Sequence, residues 1–142
     1  MCEEKSVINN EMSDSEFLVQ FENQTLPPEM FNHISHIRLA WLYVRVLDVD
    51  TAAEKTCAGL KAYAESLGAK DKFHLTISHA LVRIIALRMN ESHVSDWPEF
   101  IAQNRDLVED AIGVLCLYFS YDRLFADKAR VELVQPDIQA LV

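Results

Sequence analysis

The chain has 142 residues, half of them apolar and a quarter charged, with a formal net charge of -9. That length suits one domain with a core of its own, and the composition is globular, not disordered. Lys and Arg form no cluster that would meet a phosphate backbone, so neither nucleic acid nor an anionic membrane surface is an expected partner.

The acidic residues crowd the start: Glu3, Glu4, Glu11, Asp14, Glu16, Glu22 and Glu29 stand against Lys5 alone within residues 1–30. Residues 1–14 read as a flexible acidic tail and 15–142 as a single helical domain. The opening MCEEKSVINN has neither the basic nor the apolar region of a signal peptide, and the longest apolar run, Ala111 to Phe119, is about half a membrane span. A cytoplasmic protein is the expectation.

Three glycines and four prolines are too few for the turns of an all-β fold. The fold class expected is all-α, a bundle of about six or seven helices by the count of apolar stripes. Ser13 and Glu16 have capping-box spacing before a short helix, 15–23, with Phe17, Leu18 and Phe21 inward. Pro27 and Pro28 then suit the first turn of a helix running to Leu47, with Met30, Ile34, Ile37, Trp41 and Val44 on one stripe. Thr51 and Glu54 have the spacing of a second capping box, and Gly68 suits the end of that helix. A third long helix is expected from Asp71 to about Met89, with His74, Ile77, Ser78, Leu81 and Ile85 on its inner face. After a connector at 90–95, Asp96-Trp97-Pro98 starts a short helix through Gln103. A buried helix over 106–119 and a last one from about Ser120 to Val134, stopped by Pro136, complete the chain.

All five histidines fall between positions 33 and 93. His33 and His36, three apart, project about 60° from each other on a helix, so both can face one ion. With His74 placed on the inner face of a neighbouring helix, three imidazoles at a helix junction would form a bundle-type site for one divalent metal, Zn or Fe. The competing interpretation is that a helical His-x-x-His pair and a lone inward His are ordinary structural residues. His79 projects about 140° from His74, and His93 falls in a connector. Cys2, Cys57 and Cys116 form no CxxC pair, which argues against a zinc knuckle or a redox motif. Arg130 is expected to pair with Asp127 or Asp137.

The stretch Phe21-Glu22, Leu26-Pro27, Phe31-Asn-His33-Ile-Ser-His36 and Ala40-Trp41 resembles the opening of a set of small helical bacterial proteins of unassigned function. Phe73-His74-Leu-Thr76-Ile-Ser78 is similar to their Y-H-x-T-x-T segment, with Leu75 where an acidic residue often stands. Tyr118-Phe-Ser120, Ala129-Arg130 and Pro136-Asp137 resemble their tail. The resemblance implies that His33, His36 and His74 belong to one site.

Two functions compete. The first is a small enzyme in which His33, His36 and His74 hold a metal, or one of them acts as acid or base, on a small-molecule substrate. There His74, Thr76 and Tyr118 are the candidate catalytic contacts. The second is a helical adaptor or regulatory protein with core histidines, for which partner binding rests on a helix face. A homodimer is compatible with either.

Overall fold

Ser13 opens the first helix by the reciprocal bonding its spacing predicts. Its hydroxyl accepts the Glu16 N–H and the Glu16 carboxylate accepts the Ser13 N–H, both at 3.1 Å. The computed structural model describes residues 12–92, 94 and 96–141, so residues 1–11 of the expected tail and the His93 position lie outside the described residues. Helix α1 spans Asp14–Glu22 and buries Phe17 and Phe21. Asp14, assigned above to the flexible tail, is helical and anchors the buried Arg38 guanidinium at 2.6 Å.

The helix expected from Pro28 to Leu47 is two elements. Pro28–Met30 is one tight turn, and α2 spans His33–Val46. Asn32 breaks the run because its side chain and that of Ser35 cap the new helix reciprocally. His33 is therefore the first residue of α2, and His36 lies one turn in. Trp41 is buried, 1 % exposed, against Trp97 and Phe100.

Helix α3, Val49–Ser66, starts earlier than the Thr51 signal suggests, because Asp48 accepts the Thr51 N–H and caps it. It ends at Gly68, whose φ of 70° is the left-handed conformation a glycine adopts without strain. Next comes a single tight turn, Lys70–Lys72, and α4 spans Leu75–Glu91. The helix expected from Asp71 thus begins four residues later, and His74 is its N-cap, not a mid-helix residue. The imidazole nitrogen competes for the helix's first free N–H groups, as a capping side chain does.

Helix α5, Trp97–Gln103, is capped by Asp96 as expected. The stretch 106–119 is not one helix: α6, Arg105–Glu109, and α7, Ala111–Leu115, are separated at Asp110, whose carboxylate caps Gly113. The final helix is likewise divided into α8, Tyr121–Leu124, and α9, Asp127–Val131. Helices α2, α3 and α4 pack on one another to form the centre, with α9 against α4 and α6 against α2. The described residues contain helices and turns and no strand, which is the all-α class the sequence indicates. No helix among them is long and apolar enough to cross a membrane.

Beyond α9 the chain runs without regular structure but is fastened repeatedly. The Thr76 hydroxyl donates to the Glu132 carbonyl at 2.9 Å and accepts the Val134 N–H at 3.2 Å. Asp137 takes both the N–H and the hydroxyl of Ser120 at 2.7 Å, and the Tyr118 carbonyl accepts from Ile138 at 2.9 Å. The partner of Asp137 is therefore Ser120, not Arg130.

Candidate functional site

A cavity of about 700 Å³ lies between α2, α3 and α4, closed at one end by α7. His33, His36 and His74 all line it, so the structure does bring the three rings to one space. Its walls are mainly apolar, with Ile37, Leu60, Ile77, Leu81, Ile85 and Leu115 among them, and Lys72, Glu109 and Asp110 stand at its edge. That size and character match ordinary small-molecule pockets.

The three histidines are not equivalent. His33 donates from Nε2 to the Leu107 carbonyl at 2.8 Å, tying the start of α2 to α6. A carbonyl only accepts, so this bond fixes the proton on Nε2. His74 has both nitrogens engaged: Nδ1 accepts the Ile77 N–H at 3.1 Å and Nε2 donates to the Leu124 carbonyl at 3.0 Å. The ring is 8 % exposed, and burial first, then the Arg130 charge, pushes its pKa down. To bind a metal, His74 would have to release a helix cap or leave a carbonyl unpaired.

Among the described residues, no group of three or more His, Cys, Asp or Glu side chains is placed to hold a metal ion. The three-histidine zinc or iron site expected above is thus not supported. Its weak point is His74, which the structure uses as a cap and a tie.

His36 is different. No protein group hydrogen-bonds either of its nitrogens among the described residues. Its one specific neighbour is Phe31, whose ring meets it edge to face with centroids 4.6 Å apart. His36 is exposed and stands in the wall of the cavity. Burial, and secondarily the neighbouring His33, lowers its pKa to about 4, so it is neutral at physiological pH.

On α3, Thr56 also belongs to the cavity wall. It is 2 % exposed, and its hydroxyl has no hydrogen-bond partner. A buried hydroxyl left unpaired costs about 1–3 kcal/mol. Sequence reasoning missed Thr56. The available signal was a hydroxyl on the stripe that runs through Ala53, Cys57 and Leu60, where every neighbour is apolar.

The other candidates do not reach the cavity. Thr76 is fully buried and both sides of its hydroxyl are spent on the C-terminal segment. Tyr118 is absent from the cavity wall, and its backbone carbonyl holds the same segment. His79 is half-buried beside Arg83, outside the cavity, and burial lowers its pKa. Cys57 is a buried thiol with its pKa pushed up to about 11, so it stays protonated. Comparison with known proteins finds no matching family model, no curated relative and no similar solved structure.

Proposed function

We propose that this domain binds a small, mainly apolar molecule in the central cavity, with His36 taking a neutral polar group such as a hydroxyl or carbonyl. The observation that carries this is the cavity with His36 in its wall: a mainly apolar space of ordinary ligand size, lined by an imidazole whose two nitrogens bond no protein group among the described residues. A neutral imidazole offers one donor and one acceptor, so it matches a group that gives or takes a hydrogen bond.

Proton transfer is the next step that this arrangement allows. Among the described residues His36 has both ring nitrogens unbonded, His33 keeps Nδ1 while its Nε2 is tied to Leu107, and His74 has both engaged. An imidazole with a pKa of about 4 is a weak base at neutral pH, so the geometry favours recognition over acid–base catalysis. Catalysis would require a bound substrate that raises that pKa.

Isothermal titration with n-octanol and with simple phenols tests the proposal. Binding is expected, and His36→Phe should weaken it about tenfold, the worth of one well-placed hydrogen bond. Absence of binding by every probe, or an affinity unchanged in His36→Phe, would overturn it.

A further inference from the structure

A second cleft, of about 500 Å³, is lined by α3, by residues 70–75 and by α9. Phe73 is the one residue common to its wall and that of the central cavity, so a ligand here is independent of the one proposed above. Its apolar surface comes from Phe73 and Leu75, both half-buried, and from the exposed Val131 at the end of α9.

The cleft gathers cations in an acidic protein. Among the described residues the lysines and arginines without an ion pair are Lys61, Lys70, Lys72, Arg123, Lys128 and Arg130. Three of these six, Lys61, Lys70 and Arg130, line this one space, and they come from three different elements. Arg130 is the most informative of them. It is half-buried, yet no protein group among the described residues accepts a hydrogen bond from its guanidinium. An arginine drawn out of water is ordinarily paired, since it carries five N–H donors and a charge that cannot be shed.

Glu65 and Asp71 stand on the same cleft, both exposed, and neither forms an ion pair with the three cations. Glu65 follows Lys61 by one helical turn, the less favourable order for such a pair. Three positive charges against two negative ones leave one to be met, which suits a monoanion better than a phosphate dianion. A sphere of the cleft's volume is about 10 Å across, the Debye length at 0.1 M salt, so the two lysines add to the field at Arg130. The planar guanidinium suits a carboxylate that accepts two parallel hydrogen bonds.

We infer that this cleft binds a small carboxylic acid with an apolar body, as its anion. The carboxylate accepts from Arg130 in the field of Lys61 and Lys70, and the apolar body covers Phe73, Leu75 and Val131.

Benzoate and benzamide test this by isothermal titration, because they share a shape and an apolar ring and differ in charge. A protein of charge -9 repels an anion, so without a cationic site benzoate would be the weaker binder. The expected result is the reverse: benzoate binds about tenfold more tightly than benzamide, as a charge-assisted hydrogen bond allows. That advantage should shrink as salt is raised, and Arg130→Met should erase it. Should Arg130→Met fail to fold, Lys61→Gln/Lys70→Gln changes two exposed side chains and should lower the advantage as well. Equal binding of the two probes, or no binding by either, overturns the inference. An advantage kept in full by these variants places the anion elsewhere and also overturns it. Inorganic phosphate at the same concentration should leave benzoate bound; displacement would show that the cleft reads charge alone and would overturn the apolar part of the assignment.

Discussion

Replacing His74 by alanine separates a structural histidine from a ligating one. The change removes the acceptor for the Ile77 N–H, an N-cap loss worth about 1 kcal/mol. It also strands the buried Leu124 carbonyl, at about 1–3 kcal/mol. Together these give about 2–4 kcal/mol, or about 8–15 °C in Tm for a domain of this size, measured by denaturant and thermal unfolding followed by circular dichroism. His74→Asn supplies the decisive contrast. Asparagine caps a helix as well as any residue but is too short to reach Leu124, so it should recover about 1 kcal/mol of the loss. Such a recovery has no explanation if His74 serves as a metal or substrate ligand. A cost below ~0.5 kcal/mol for alanine, or no difference between alanine and asparagine, would refute the assignment.

Thr76→Val should cost about 1–3 kcal/mol by leaving the Val134 N–H unpaired, and carboxypeptidase digestion should then advance faster past residue 134. Thr56→Val should act in the opposite direction. Removing a buried hydroxyl that has no partner is expected to raise the stability of the ligand-free protein by about 0.5–1.5 kcal/mol, seen as a higher Tm, and a loss beyond ~1 kcal/mol would show that the hydroxyl is satisfied. His36 makes stability depend on pH in a definite sense. Its pKa is lowered in the fold to about 4 from 6.5, so its contribution is fully present above pH 6.5 and is lost as the pH falls toward 4. His74 and His79 are shifted in the same direction, so His36→Leu should flatten the melting-temperature profile in that window without abolishing its slope.

The helices were legible where one rule acted alone. Ser13 with Glu16, Asp96 with Pro98, and Gly68 each marked a boundary that the structure keeps, because each is a local contest between side chain and backbone. The failures came where a residue had two uses. His74 sits on an apolar stripe and reads as inward helix, yet an imidazole nitrogen can also cap, and that role decided where α4 begins. Asn32 and Asp110 likewise interrupted apolar runs that periodicity alone would have carried through. His33, His36 and His74 all line one cavity, but which ring stayed unbonded depended on carbonyls 50 and 74 residues away. No local pattern encodes that. Thr56 escaped for a related reason: a lone threonine on a stripe of small residues is unremarkable until the space in front of it is known.

The fastening of the last residues has a consequence for how the protein is made. The first α4 turn bonds through His74 to Leu124 and through Thr76 to Glu132 and Val134, separations of 50 to 58 residues that reach almost to the end of the chain. During synthesis α1 to α4 emerge long before those partners, so the cavity wall they build stands with its cap ring and its threonine hydroxyl unmatched. Closing contacts of such long range is slow compared with forming helices. The domain therefore completes its core only when residues 124–134 have left the ribosome, and a chain stalled before them presents an open, apolar half-bundle to quality control.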